Sequence, residues 1–445
     1  MRHRCPQHEN AVSREGWAES RLANSQAGFV MRTVFESIVS VIGGEAAVRA
    51  ASLVAALFIA RVYGGFVLGA YAASLAVVTV FMMFADNGLQ TFAITELSGT
   101  LSGRNKIVGQ VYISKTILAV TAVALLAGVA SWLKLSPFLW AIGAWVTIRT
   151  VLQSYSQLQM AILKSLSKAN VIGVIQVIHS LFLLTGIWVV LQHGWTVFAL
   201  LAWFTAGQFF EFAMTMLVLS RAGLRPSLPE QIRFWAAMRK STPFGITYGL
   251  ATLIVRSDTV VLSTLVPLSV LGAFSAANSI LVVVYVAGWL LGSVLLPEMV
   301  RLSVTAEGLR LYVRRWTRLL GFTTIPCALL AFLAAPRMML LLFGPSLVQS
   351  GGLASVMALA CPFILLNAVY TNFAIAMNDR AVFAGLFAAT AVIAIGLDII
   401  LGRAFGPIGV ATAIVIREAG MLVGFWILMS RRTSPAAQVS YPVSS

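Results

Sequence analysis

Five basic residues, Arg49, Lys115, Arg149, Arg256 and Arg417, interrupt stretches that are otherwise almost wholly apolar. Placing such a charge in the middle of a bilayer costs about 2.5–3.5 kcal/mol on insertion scales, and the usual escape is a wet cavity or a partner. Helical spacing indicates which faces these residues share. Tyr248, Thr252, Arg256, Thr259 and Ser263 follow one another at steps of three and four, a single polar stripe on one face. Arg149, Gln153 and Gln157, flanked by Ser156, repeat the pattern, and Ser37, Glu45, Arg49 and Ser52 form a looser version. Arginine on such a stripe suits an anion, because its planar fork binds phosphate oxygens in pairs and stays charged. The spacing therefore predicts a cationic cleft holding Arg49, Arg149 and Arg256, with Gln153, Gln157, Tyr248, Thr252 and Thr259 as its polar lining.

Other pairings compete with that use. Glu45 and Arg49, four residues apart, are spaced to neutralise each other on one helix. Lys115 lies near the end of its apolar stretch, where a lysine is expected to snorkel to the interface. Arg417 and Glu418 are adjacent and point about 100° apart, so adjacency alone does not make them a pair. Asp258 lies about 200° around the helix from Arg256 and faces another helix or a second pocket. The acidic residues in apolar stretches are Glu45, Asp86, Glu211, Asp258, Asp398 and Glu418. Such carboxylates either take up H⁺ or Na⁺ and couple transport to a gradient, or pair structurally with the arginines. Both readings stand for Glu45, Asp86, Asp258 and Asp398.

The elements carrying these residues must be membrane helices. Of 445 residues, 59% are hydrophobic and only 10% charged, against about 25% charged in a soluble domain. Twelve apolar runs fit crossings of roughly 20 residues each. They cover 34–60, 67–92, 107–132, 138–162, 170–192, 195–220, 242–266, 269–296, 318–343, 351–377, 381–402 and 406–430. The expected fold is all-α, with two pseudo-symmetric six-helix lobes, 34–220 and 242–430, joined by a cytoplasmic linker over 221–241. Residues 1–33 and 431–445 read as cytoplasmic tails. The first is polar, lacks the apolar core of a signal peptide and reads as disordered, with Met31 as an alternative start.

Charge asymmetry sets the orientation. With the N-terminus inside, 22 of the 31 Lys and Arg residues fall on the cytoplasmic side, and only Arg61, Lys134, Arg337 and Arg403 on the other. Both termini are then cytoplasmic. The net charge of +16 is thus the ordinary bias of cytoplasmic loops rather than a nucleic-acid footprint. Cys5, Cys327 and Cys361 fit neither a disulfide framework nor a metal spacing. The four histidines, His3, His8, His179 and His193, are scattered. No phosphate loop, paired-carboxylate site or nucleophile elbow is present, and the outer loops are too short to hold a reaction, so no catalytic residue, cofactor or metal is expected.

The chain also repeats itself. Val67-Leu68-Gly69-Ala70-Tyr71-Ala72-Ala73 recurs as Val270-Leu271-Gly272-Ala273-Phe274-Ser275-Ala276, an offset of 203 residues. Both copies fall between the first and second helix of a six-helix half. Because each half has an even number of crossings, the halves run parallel, with a cleft between them. The offset carries Arg49 onto position 252, one turn from Arg256.

These residues resemble a known family. Phe58-Ile59-Ala60-Arg61-Val62-Tyr63-Gly64, then Leu68-Gly69-Ala70-Tyr71, then Ala85-Asp86-Asn87-Gly88-Leu89 resemble the first two helices of bacterial polysaccharide transporters. These are the O-antigen and exopolysaccharide flippases of the multidrug/oligosaccharidyl-lipid/polysaccharide exporter superfamily. The second half is similar at Arg256-Ser257-Asp258, Leu271-Gly272-Ala273-Phe274 and Leu296-Pro297-Glu298, with Phe274 where the family has tyrosine. The resemblance implies two lobes alternating between inward- and outward-open states in the bacterial inner membrane. It implies an undecaprenyl-pyrophosphate-linked oligosaccharide as cargo, for O-antigen, exopolysaccharide or capsule biosynthesis, met by Arg49, Arg149, Arg256 and Arg417. Membrane lipids and the pathway's polymerase or glycosyltransferases are the expected partners. The rival is a multidrug cation antiporter of the same superfamily, which would want an acidic, aromatic lumen. A lipid II flippase, with its usual fourteen helices, fits the count less well.

Overall fold

The computed structural model describes residues 40–99, 103–166, 168–227, 234–303, 306–377 and 380–432. Residues 1–33, Ser37, residues 228–233 of the expected linker and most of the C-terminal tail lie outside these. Every described element is a helix or turn. Residues 40–58 form α1, which runs through a π-helical turn, Ile59–Tyr63, into α2 (Gly64–Asp86). There follow α3 (Leu89–Gly99), α4 (Arg104–Trp132), α5 (Pro137–Ser165), α6 (Ala169–His193) and α7 (Val197–Arg221). The second half holds α8 (Phe234–Leu265), α9 (Leu268–Leu302), α10 (Ala306–Phe343), α11 (Gln349–Ala358), α12 (Cys361–Ala376) and α13 (Arg380–Arg432).

Among the described residues, seven helices are long and apolar enough to cross a membrane, or up to nine if each of two bent pairs is one span. The difference from the twelve apolar runs has three sources. Ser40–Ser98 is one helical run of 59 residues, roughly 90 Å long against a hydrocarbon core of about 30 Å. Its direction breaks at Gly64 (φ 84°) and at Asn87 (φ 30°). Ala384–Leu428 is likewise one run, broken at Gly406 (φ 63°, ψ −140°). Finally, α5 is missing from the apolar set because Arg149, Gln153 and Gln157 dilute it.

The internal repeat is a helix crossing. At the start of α2 and of α9 the two backbones touch through glycine. A Cβ on Gly69 would lie 1.8 Å from the Leu268 carbonyl oxygen, and one on Gly272 would lie 2.0 Å from the Gly65 carbonyl oxygen. Positions 65 and 268, like 69 and 272, are related by the repeat offset, so each copy packs on the other's equivalent residues. Such close approach is available only to small residues. Beside it, the π-helical turn presents Arg61 across the two halves. Its Nε donates to the Leu342 carbonyl at 2.6 Å and its Nη2 to the Leu341 carbonyl, at the end of α10.

The core is joined at one end and divided at the other. One cluster draws on both halves, including Phe58, Leu68, Phe204, Leu271, Phe274 and Phe343. Two smaller clusters are separate. One gathers Leu89, Leu97, Leu158 and Leu219, and the other Leu295, Met299, Leu309 and Tyr370. The first of these also takes in Ala237 and Met238 from α8. That helix bends by 48° between Phe234–Ile246 and Tyr248–Leu265. Its first segment, expected from sequence to be linker up to residue 241, thus leans on the N-terminal half. There Asn87 Nδ2 donates to Thr242 Oγ1 at 3.2 Å, and Lys240 pairs with Glu96 at 2.7 Å.

Gly69→Ala and Gly272→Ala should each lower the unfolding temperature of the purified protein, by overpacking worth about 1–3 kcal/mol. Gly128→Ala, where nothing lies within 4 Å, should leave it unchanged or raise it. Equal behaviour of all three in a thermal melt would remove the crossing as a structural constraint.

Candidate functional site

Between the halves lies a cavity of about 340 Å³. Its N-terminal wall is built by α1, α2 and α5, which contribute Arg49, Tyr71, Asp86, Arg149, Gln153 and Gln157. Its C-terminal wall is built by α8 and α9, with Tyr248, Thr252, Arg256 and Thr259 from the first and Asn278 from the second. The spaced stripes thus face one another across a single space. Ser263, the far end of the α8 stripe, is not part of the wall.

The three cavity arginines differ in how far they are engaged. Arg49 pairs with Glu45 at 2.7 Å, yet its side chain stays 45% exposed. Arg149 donates from Nη1 to the Tyr71 hydroxyl and lies over the Phe204 ring, 5.6 Å from its centroid. Its Nε is buried without a partner. Arg256 makes no hydrogen bond or ion pair among the described residues. Gln90 donates to Gln157 Oε1 at 3.4 Å, and Thr252 Oγ1 donates to the Tyr248 carbonyl at 2.9 Å.

Two basic residues sit elsewhere than expected. Lys115 does not snorkel. It is fully buried and pairs with Asp86, which also accepts from Ser154 Oγ at 2.9 Å. The carboxylate at the last residue of α2 lies at the depth of Lys115 on α4, so a partner replaces the interface. Arg417 does not reach the cavity. Only 3% exposed, it donates from Nη1 to the Ile254 carbonyl at 2.7 Å and from Nη2 to the Tyr285 hydroxyl at 3.0 Å. Glu418 lies 3.4 Å from Nη2 and accepts from both Tyr285 and Asn367. Adjacent residues do therefore interact here, because Tyr285 of α9 bridges the angle between them.

The remaining carboxylates are also turned away from the cavity. Asp258 accepts from the amide and hydroxyl of Thr259, the latter at 3.0 Å. Asp398 accepts from Ser257 Oγ at 2.7 Å and keeps its Oδ1 unpartnered. Of the charged residues that line the cavity, Arg49, Arg149 and Arg256 stand against Asp86 alone, an excess of two positive charges. Such a site attracts an anion, and desolvated walls strengthen the attraction. Spacing alone did not reveal Tyr71, Phe204 and Asn278 as parts of it. Tyr71 falls in the repeated segment, but its contact with Arg149 spans two helices. Among the described residues no group of three His, Cys, Asp or Glu side chains could hold a metal ion.

Known proteins share this arrangement of helices. The family described as "Polysaccharide biosynthesis protein" matches residues 34–303. No curated protein sequence matches the chain. Among solved structures, the lipid II flippase MurJ in an inward closed conformation is similar, with a TM-score of 0.73 at 16% identity, over 91% of this chain and 88% of that one. An inward-facing multidrug resistance MATE family transporter of the MOP superfamily gives a TM-score of 0.65 at 13% identity, over 91% and 96%. The Vibrio cholerae MATE transporter VcmN in its bent form gives 0.58 at 13% identity, over 90% and 97%. At these identities the likeness is one of fold.

Engaged and unengaged cations should respond differently to removal. Lys115→Met and Arg417→Met each leave a buried carboxylate uncompensated and should destabilise by about 3–5 kcal/mol. Arg256→Met should leave the unfolding temperature of the detergent-purified protein close to wild type. A loss at Arg256 as large as at Arg417 would contradict the distinction.

Proposed function

From the premise that this chain belongs to the polysaccharide biosynthesis protein family, a membrane transporter of the MOP superfamily rather than an enzyme, we propose that it flips an undecaprenyl-pyrophosphate-linked oligosaccharide across the bacterial inner membrane. The observation that carries the reading is Arg256, an arginine in the wall of a cationic cavity with no hydrogen bond or ion pair among the described residues. A diphosphate head group supplies what is missing: two adjacent anionic groups within reach of Arg49, Arg149 and Arg256. The apolar tail stays in the bilayer. The fold likeness to a protein named as a lipid II flippase supports a lipid-linked cargo. The polysaccharide family supports a glycan on it, for O-antigen, exopolysaccharide or capsule.

The same reading gives the architecture. Each of the two long helical runs counts as two crossings, and α5 as one despite its charge. With these, the crossings number twelve, in lobes 34–220 and 242–430. Cytoplasmic basic residues put both termini inside. The shared core then lies toward the outer face and the divided core toward the cytoplasm. Alternating access would exchange the Gly69–Gly272 crossing and the Arg61 bonds at the outer end for opening there. The leaning first segment of α8, with Asn87–Thr242 and Lys240–Glu96, closes the inner end. Polymerase or glycosyltransferases of the pathway are the expected partners.

A multidrug cation antiporter shares the fold but not the charge. An organic cation entering this cavity would meet three arginines in its wall, and the lining carboxylate Asp86 is already held by Lys115.

Arg256→Ala should reduce surface glycan in a strain lacking the chromosomal copy by at least about tenfold at normal membrane levels, the loss of one charge-assisted contact. Arg149→Ala should do the same. Arg256→Lys should retain only part of the activity, since an ammonium lacks the planar fork. Full complementation by both alanine variants, scored by glycan immunoblot, would defeat the cationic-cleft reading.

A further inference from the structure

The cavity is not uniform along its length. Tyr71, near the start of α2, holds Arg149, and Asp86, at the end of α2, accepts from Ser154 Oγ at 2.9 Å. The stretch of α2 between these two levels is about 22 Å long. Side chains at the second level come from both halves. Gln153 immediately precedes Ser154 on α5, and Gln157, one turn further, accepts from Gln90 Nε2 on α3 at 3.4 Å. Tyr248 on α8 adjoins Gly249, where a Cβ would lie 3.4 Å from Met83 Sδ. All of Gln153, Gln157, Met83 and Tyr248 line the cavity. Arg256 lies two turns of α8 beyond Tyr248, about 12 Å along the axis. The wall therefore changes from arginine, near the Gly69–Gly272 crossing, to amide and phenol under the first segment of α8.

The second level has open hydrogen-bonding capacity and no open charge. Gln153 makes no hydrogen bond among the described residues, and Gln157 donates none from its own amide there. Tyr248 is 45% exposed. Asp86, the carboxylate at this level, is held by Lys115 and Ser154. A primary amide donates and accepts at once, and so does a sugar hydroxyl, whereas the oxygens of an ionised phosphate only accept. An exposed phenol ring presents an apolar face that the C–H side of a pyranose can cover. Such groups are poorly matched to a diphosphate and well matched to a sugar ring. A uronic acid placed here would find no arginine, and its carboxylate would face that of Asp86.

We propose that Gln153, Gln157 and Tyr248 form a sugar subsite, which takes the ring joined to the diphosphate and selects an uncharged one. The inference rests on the diphosphate reading of the arginines and adds to it the class of sugar that follows. With the diphosphate on Arg149 and Arg256, the first ring follows the second phosphate directly and projects away from the Gly69–Gly272 crossing. Gln153, one turn from Arg149, is the first of the three side chains it meets; Gln157 and Tyr248 lie beyond. The first ring is thus the part of the glycan that these side chains read. The rest of the glycan extends toward the first segment of α8, past the last of them. Selection at this level is therefore for the first sugar, and the length of the glycan behind it is left open.

Short-chain analogues test the subsite separately from the arginines. Farnesyl diphosphate carries the head group alone. Its conjugates with glucose, galactose and N-acetylglucosamine add one uncharged ring, and its conjugate with glucuronic acid adds a charged one. Dissociation constants for the full-length protein in detergent are measured by isothermal titration calorimetry. At least one uncharged ring is expected to tighten binding about fivefold or more over farnesyl diphosphate, as one or two neutral hydrogen bonds would. Glucuronic acid is expected to bring no gain. In Gln153→Ala/Tyr248→Ala the gain should vanish, and its binding of farnesyl diphosphate shows that the variant is folded. Uncharged rings that add nothing to wild type, or glucuronic acid that adds as much as they do, overturn the subsite, and neither outcome needs a variant to fold. A folded double variant that keeps the full gain overturns it too. Wild type that binds no farnesyl diphosphate contradicts the diphosphate reading itself, and the subsite falls with it.

Discussion

Charge in hydrocarbon is the constraint on which this structure turns. Each ionisable side chain inside the apolar stretches must find a partner or a wet space, because isolation costs several kcal/mol. Lys115 with Asp86, and Arg417 with Glu418 and Tyr285, are solutions of the first kind and hold helices together within one half. Arg149, braced by Tyr71 and Phe204, is intermediate. Arg256 has no hydrogen bond or ion pair among the described residues and faces the cavity. The sorting separates structural charges from available ones, and the proposed function rests on the available ones.

Where that cavity lies is set by a second, apolar contact. Gly69 and Gly272 let α2 and α9 touch at backbone distance, and the repeat makes the contact mutual. Two equivalent halves meeting through equivalent residues leave their facing stripes on opposite sides of one space. Arg49 and Arg149 come from one half and Arg256 from the other, so the charge of the cavity depends on how the halves are disposed. A transporter that rocks its halves would therefore change the spacing of its arginines as it moves, which is a way to bind an anion on one side and release it on the other.

Much of this was legible in the sequence. The α8 stripe from Tyr248 to Thr259 falls on one wall of the cavity, since helical period fixes which side chains share a face. The repeat marked the place where the halves cross. What periodicity could not supply was partnership between helices. Lys115 looked free to reach the interface because Asp86 is distant in sequence. Arg417 looked like a cleft residue because nothing in the chain announces that Tyr285 and the Ile254 carbonyl converge on it. The twelve apolar runs differ from the seven to nine helices among the described residues that are long and apolar enough to cross for a related reason. Gly64 and Gly406 take non-helical backbone angles that redirect the chain inside a single long run, and composition marks a crossing more readily than it marks a bend. The His179–Glu211 pair belongs to the same class. His179 read as one of four scattered histidines and Glu211 as one of six carboxylates in apolar stretches, and only the packing of α6 on α7 joins them.

The central claim is that the cavity selects an anionic lipid head group. Native mass spectrometry of the purified protein, offered undecaprenyl diphosphate and a lipophilic quaternary ammonium in equal amounts, tests it most directly. The account predicts retention of the diphosphate lipid by wild type, its loss from a variant lacking Arg49, Arg149 and Arg256 together, and no retention of the cation by either. Retention of the ammonium by wild type, with the diphosphate lipid left free, would contradict it.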